Sequence, residues 1–141
     1  MVARLEIALQ IYAARLVGKC FQWGSRDCNT IILDWLNMAT GDNSIKEIRG
    51  RYESRAGAIR YQLQYGRDLP KIIKDAGGYY IPRNRVTVGD IILTKETGAP
   101  WECGHLVLGS RYLGAAPGRG VFLGAVGVLP DNAKAMRLRY V

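Results

Sequence analysis

A cysteine thiol and an imidazole are the two groups in this chain that could together perform nucleophilic catalysis. Cys28 follows Asp27 at a predicted helix start, and His105 lies in an apolar run typical of a β-strand. A thiol at a helix start and an imidazole on a later strand are the minimum parts of a cysteine nucleophile and its base. His105 is the only histidine in the 141 residues, so few other groups could transfer protons near neutral pH.

Whether Cys28 and His105 are catalytic or structural residues depends on their surroundings. N–H groups at a helix start stabilise a thiolate, which favours a reactive Cys28, although most thiols in proteins are small buried hydrophobes. On the strand, the alternation of side chains places Cys103, His105 and Val107 on one face. If the helix of Cys28 packs on that face, the thiol and the imidazole can meet. Otherwise His105 is a structural residue.

The elements that must position these groups change character half-way along the chain. Apolar residues at Leu5, Leu9, Tyr12 and Leu16 predict a first amphipathic helix. The capping residues Asp27, Ser54 and Asp68 predict further helices over 28–39, 54–66 and 68–76. Short β-rich segments separated by turn residues follow at 88–94, 104–109, 111–115, 120–126 and 136–141. This order predicts one α+β domain over residues 1–141, with the N-terminal helices packed on a small antiparallel β-sheet.

The composition narrows the classes of partner. The net charge of +8 favours anionic partners, such as nucleic acid, an acidic cell-wall polymer or the acidic face of an assembly. The basic residues are dispersed, however, so nucleic-acid binding is not favoured as the primary function. Charged residues interrupt the first apolar segment, so we expect neither a signal peptide nor a membrane span. Three cysteines without a CxxC predict no disulfide framework, no metal and no cofactor, and favour a reducing compartment.

Several short motifs, in order, resemble those of the NlpC/P60 superfamily of papain-like cysteine peptidases. They are Phe21-Gln22-Trp23-Gly24, Asp27-Cys28, Val88-Gly89-Asp90-Ile91, and the run from Gly104 to Gly109 that contains His105. More narrowly, the segments Gly50-Arg51-Tyr52 and Gly57-Ala58 make the chain similar to a small variant encoded in tail-assembly gene clusters of bacteriophages. The resemblance spans about residues 18 to 125, which is most of the predicted domain.

The resemblance implies a papain-like fold with Cys28 as nucleophile and His105 as general base. The implied reaction is hydrolysis of amide bonds in peptidoglycan stem peptides, without a cofactor, from a phage tail assembled after synthesis in the host cytoplasm. Peptidoglycan or other tail subunits are then the partners, with no membrane involved. The alternative is a catalytically weak or inactive structural component of the tail tip.

Three positions depart from the family pattern, one of which is Asn29, where many relatives have a small residue directly after the nucleophile. Phe21 stands where many relatives carry a tyrosine whose hydroxyl binds the oxyanion, so Gln22 becomes the candidate donor for that role. The residue expected to orient His105 falls on Gly114 or Ala115, and neither side chain can accept a hydrogen bond.

The other two cysteines are assigned simpler roles. Cys103 shares a face with His105 and could approach Cys28, but a metal site built on these three residues would lack a fourth protein ligand. Cys20, in the loop before Trp23, is predicted to pack.

Overall fold

Helices occupy the first half of the chain and strands the second, across residues 3–66, 68–95 and 98–139, which the computed structural model describes. The helices are α1 (Ala3–Leu16), α2 (Thr30–Thr40), α3 (Ser44–Ile48), α4 (Arg55–Tyr65) and α5 (Leu69–Asp75). The strands are β1 (Tyr79–Ile81), β2 (Ile91–Lys95), β3 (Glu102–Val107), β4 (Arg111–Ala116), β5 (Gly120–Ala125) and β6 (Lys134–Arg137). The predicted α+β class is confirmed. Within the described ranges, no helix is long and apolar enough to cross a membrane.

The six strands form one antiparallel sheet in the order β1-β6-β2-β3-β4-β5. The β4–β5 hairpin is paired along its whole length. By contrast, the described pairing of β3 with β4 covers Leu106↔Leu113 and Val107↔Tyr112, both at the C-terminal end of β3. Residues 102–105 of β3 therefore have no described pairing partner in β4.

The two faces of the sheet have different partners. The helices cover one face, where a buried cluster joins Ile32 and Trp35 of α2 to strand residues such as Leu106. Gly104 allows this close packing, because a Cβ there would collide with the side chains of Ile32 and Leu69. The opposite face carries a smaller buried cluster, formed by Ile92, Val107, Tyr112, Val126, Leu129 and Ala135. Each fully buried aliphatic side chain contributes about 1.5–3 kcal/mol.

Capping residues start the helices close to the predicted positions. Ser54 Oγ and the Asp68 carboxylate each accept a backbone N–H of the following turn, at 3.0 and 2.9 Å, and so begin α4 and α5. Regular helix in α2 begins at Thr30 instead of residue 28, because the preceding residues form a turn around Asp27. The short α3 was not predicted, because five residues are too few to show a helical period.

The turn before β2 is held from two sides, so β2 begins at Ile91, three residues later than predicted. Trp35 Nε1 donates to the carbonyl of Gly89 at 3.2 Å, which ties α2 to this turn. Asp90, 1 % exposed, accepts two hydrogen bonds from Arg137, at 3.0 and 2.9 Å. The last strand, predicted over 136–141, is β6 at Lys134–Arg137, so it begins two residues earlier and ends before residue 138; residues 140–141 of that prediction lie outside the described residues.

Candidate functional site

Asp27 organises the start of α2. Its Oδ1 accepts the backbone N–H groups of Asn29 and Thr30, at 2.9 and 2.8 Å. Thr30 Oγ1 in turn accepts the N–H of Asp27 at 2.9 Å. This reciprocal arrangement works as a capping box, which confirms the predicted capping role of Asp27. The residue is 2 % exposed, so these bonds replace the water that the carboxylate has lost.

The second oxygen of Asp27 joins two segments that are distant in sequence. Oδ2 accepts the N–H of Gly24 at 2.9 Å and the hydroxyl of Tyr52 at 2.8 Å. Burial, with the adjacent Asp27 carboxylate, raises the pKa of Tyr52, so the phenol stays protonated as a donor. Gly24 has a φ of +82°, and a Cβ there would collide with the Tyr52 carbonyl. The Trp-Gly-x-x-Asp-Cys and Gly-x-Tyr motifs therefore meet at one buried carboxylate.

Cys28 lies just before α2 and contacts a second thiol. Its Sγ is 2.9 Å from Sγ of Cys103 on β3 and 3.8 Å from Oδ1 of Asn29. All three cysteines of the chain are thiols, and Cys28 is 7 % exposed. The predicted approach of Cys103 to Cys28 is confirmed.

A small cavity adjoins the thiol. Its walls include Cys28, Trp23, Tyr52, Tyr61 and Trp101, and it encloses about 30 Å³. That volume holds one or two water molecules. The rings of Trp23 and Trp101 pack edge to face, with centroids 6.2 Å apart, so the aromatic wall is continuous. Both tryptophans therefore border the cavity.

His105 lies two residues beyond Cys103 on β3, and its two ring nitrogens differ. Nε2 is 2.8 Å from Oγ1 of Thr94 on β2, whereas Nδ1 is buried and has no hydrogen-bond partner among the described residues. The ring packs edge to face on Tyr112, with centroids 5.1 Å apart. Desolvation lowers the pKa of His105 from its usual 6.5 to about 4. The imidazole is therefore neutral at pH 7.

From the sequence, the meeting of thiol and imidazole depends on the helix of Cys28 packing on the strand face that carries His105. The helices pack on the Gly104 and Leu106 face of β3, and not on the face of His105. The hydrogen bonds described for the imidazole do not include Cys28, which meets Cys103 instead. The described hydrogen bonds therefore join Cys28 to Cys103 and His105 to Thr94.

The helix start also stabilises a thiolate at Cys28 less than predicted. The N–H groups of Asn29 and Thr30 already donate to the Asp27 carboxylate, so they are not available to a thiolate at Cys28. A second anion beside this carboxylate is repelled by it, which opposes the stabilisation expected from the helix dipole.

The remaining residues discussed for the site are Gln22, Gly114 and Cys20. Gln22 is exposed, and the cavity walls do not include it, whereas the amide of Asn29 lies near the thiol. Gly114 faces the rings of Tyr112 and Phe122, and it supplies no acceptor to His105. Cys20 is exposed, so its predicted packing role is wrong.

The sequence did not predict two contacts. They are the contact of Thr94 with His105, which depends on strand register, and the contact of Asn29 with Cys28. Thr94 reaches His105 across the β2–β3 pair, in which Ile92 is directly opposite His105. Register could not be counted from the sequence, since the length of the connecting loop was unknown. Asn29 carried a visible signal, namely a polar amide directly after Cys28.

The fold and the site define a small α+β protein with a pair of thiols near the start of a capped helix and a partly buried imidazole on the adjacent strand. Across the described ranges, no group of three or more His, Cys, Asp or Glu residues is arranged to hold a metal ion. Residues 2–135 match DUF6950, a domain of unknown function, and the chain belongs to this family. No curated protein matches the chain.

Proposed function

We propose that the chain is a cysteine hydrolase in which Cys28 attacks an amide carbonyl, and that it acts in a bacteriophage tail on the stem peptides of peptidoglycan. The observation that carries the chemistry is the position of the Cys28 thiol, on the wall of a cavity beside the start of α2. A papain-like fold, the phage-tail setting and the wall substrate rest on the resemblance of the sequence motifs to the NlpC/P60 superfamily.

The reaction begins with attack of the Cys28 sulfur on the carbonyl carbon, which creates a tetrahedral oxyanion. The backbone N–H of Cys28 is the donor proposed for that oxyanion, and the side chain of Asn29 would have to rotate to present Nδ2, because its Oδ1 faces the sulfur. His105 takes the thiol proton and delivers it to the leaving amine, and water then hydrolyses the thioester. This role requires the tautomer in which Nε2–H donates to Thr94 Oγ1 and Nδ1 carries the lone pair.

Substrate must enlarge the site, because about 30 Å³ cannot hold a peptide. Trp101 separates this cavity from a groove of about 630 Å³ that a peptide segment could occupy. Lysines and carboxylates both line this groove: Lys71, Lys74, Lys95, Lys134, Asp68, Asp75 and Glu102. Movement of Trp101 would join groove and thiol. Catalytic hydrogen bonds in empty sites often tighten only when substrate binds, as this mechanism requires of His105.

The first prediction concerns the nucleophile. Cys28→Ala is expected to abolish release of peptides from purified peptidoglycan, because no other thiol lines the described cavity walls. The measurement is the release of free amino groups from several types of peptidoglycan, with the released peptides identified by mass spectrometry. Cys20→Ser is the matched control, since Cys20 is exposed, and it should retain wild-type activity. Equal inertness of wild type and Cys28→Ala on every wall type would refute the hydrolase.

A structural role in a tail tip is the second candidate, and one observation favours it. Burial lowers the pKa of His105, so the proposed base is neutral at pH 7, and the carboxylate of Asp27, one residue before Cys28, opposes formation of a thiolate. Titration of thiol reactivity separates the candidates. A Cys28 that reacts with the profile of an ordinary thiol, near about 8.5, supports the structural role. In that case Cys28→Ala should leave particle assembly and infectivity unchanged.

A further inference from the structure

The contact between Cys28 and Cys103 has a chemistry that the hydrolase does not use. The two sulfurs lie 2.9 Å apart, whereas carbon atoms, which are smaller than sulfur, pack best at about 3.5–4.0 Å. A disulfide needs a separation of about 2.05 Å. A shift of roughly 0.9 Å between the sulfurs would therefore allow the bond to form. The two residues are 75 positions apart in the chain, so the fold itself brings them together.

We infer that Cys103 is a resolving cysteine for Cys28, and that the pair is a site of reversible disulfide formation driven by a small hydroperoxide. The regulatory consequence rests on the proposed hydrolase, because oxidation would then remove its nucleophile. The cross-link itself depends on the geometry of the two thiols alone.

The chemistry proceeds in two balanced steps. The Cys28 thiolate attacks one peroxide oxygen, the O–O bond breaks, and sulfenic acid and an alcohol or water result. The Cys103 thiol then attacks the sulfenic sulfur, the S–O bond breaks, and water leaves as the S–S bond forms. Two thiols lose two electrons and two protons, and the hydroperoxide is reduced. A dithiol returns the pair to its reduced state by exchange.

The cavity selects the oxidant by size. Its volume of about 30 Å³ holds one or two water molecules, and hydrogen peroxide is only slightly larger than water. The peroxide can thus reach Cys28 in the closed site, from which a peptide is excluded. Cys20 provides an internal comparison, since it is exposed and belongs to neither the cavity walls nor the thiol pair.

The test combines thiol counting with peptide mapping. Folded wild-type protein is treated with hydrogen peroxide, alkylated, digested without reduction and analysed by mass spectrometry. We expect the number of reactive thiols to fall from three to one, with one peptide pair linked through Cys28 and Cys103 and lighter by two hydrogens. Dithiothreitol should restore all three thiols.

Two variants make the result specific. In Cys103→Ala, peroxide should carry Cys28 on to the sulfinic and sulfonic acids, which dithiothreitol does not reverse. Cys20→Ser should behave as wild type in both thiol loss and recovery. A wild-type protein that forms the same overoxidised Cys28, or links Cys20 between molecules instead, overturns the proposal.

Hydrolase activity is followed in the same samples. Loss of activity with peroxide and its return with dithiothreitol, in wild type but not in Cys103→Ala, would establish regulation. A reduced protein that forms the cross-link but never hydrolyses peptidoglycan would refute the hydrolase while leaving the disulfide site intact. An active reduced protein without a cross-link would refute the disulfide site alone.

Discussion

At the scale of single residues, the two ring nitrogens of His105 have different environments. Thr94 holds Nε2 at 2.8 Å, and the buried Nδ1 is left for a proton from the nucleophile or the substrate. A threonine hydroxyl can donate or accept, so it does not by itself select a tautomer as a carboxylate does. Thr94 is therefore a positioning residue for the proposed base, and its hydroxyl is the part that acts.

Replacing that hydroxyl gives the second prediction for catalysis. Thr94→Val keeps the shape of the side chain but removes the partner of Nε2, and kcat should fall about tenfold or more. Thr94→Ser keeps a hydroxyl and should restore most of the activity. The pH profile of kcat/KM should move in the valine variant alone, because its imidazole has lost one hydrogen-bond partner. Equal kinetics and profiles in Val, Ser and wild type would contradict the assignment.

At the scale of elements, the Asp27 carboxylate is the connection between the loop of Gly24, helix α2 and Tyr52. Four donors converge on its two oxygens, and all of the bonds are between 2.8 and 2.9 Å. Removal of any one donor leaves part of a buried charge uncompensated, which costs more than the loss of a solvated bond. The position of Cys28, one residue further, depends on this connection.

Tyr52→Phe tests the connection with little change in volume. We expect the free energy of unfolding to fall by about 1.5–3 kcal/mol, because a hydrogen bond to a buried carboxylate is lost. Urea denaturation at neutral pH provides the measurement. Tyr65→Phe is the matched control, since Tyr65 is 56 % exposed, and it should change stability by less than about 0.5 kcal/mol. Equal effects of the two substitutions would show that Asp27 does not need the phenol.

Interactions between residues close in sequence could be predicted, whereas contacts between residues far apart in sequence could not. Ser54, Asp27 and Asp68 act on backbone N–H groups within three residues, so their capping roles could be predicted. The contact of Thr94 with His105 depends on register, and the face on which α2 packs depends on Gly104 meeting Ile32. Neither property is encoded in local spacing.

The whole molecule responds to pH through the partly buried imidazole of His105. The pKa of His105 is about 4 in the folded chain and about 6.5 when the chain unfolds, so between these values the unfolded chain binds more protons. Its contribution to stability is therefore complete above pH 6.5 and declines as the pH falls to 4. Over that interval, the shift corresponds to a loss of about 3 kcal/mol.

His105→Gln isolates this contribution, because glutamine does not titrate while the carboxylates of the protein remain. Urea denaturation of both proteins at pH 7.5 and pH 4 gives the four unfolding free energies required. Wild type should lose about 3 kcal/mol more than the variant on acidification. If both proteins lost the same amount, the imidazole would have to be accessible to solvent and protons in the folded state.

The limited pairing of β3 with β4 divides the sheet into two mechanical parts. One part is the β4–β5 hairpin, and the other contains β1, β6, β2 and β3. Two described residue pairs connect the ladders of the parts, but Leu113 and Tyr112 of the hairpin are buried in the two hydrophobic clusters, so side-chain packing holds the parts together. Amide hydrogens along this boundary should exchange with solvent faster than those inside the ladders, because fewer inter-strand hydrogen bonds protect them. The boundary would then show as rapid exchange within a sheet whose core remains packed.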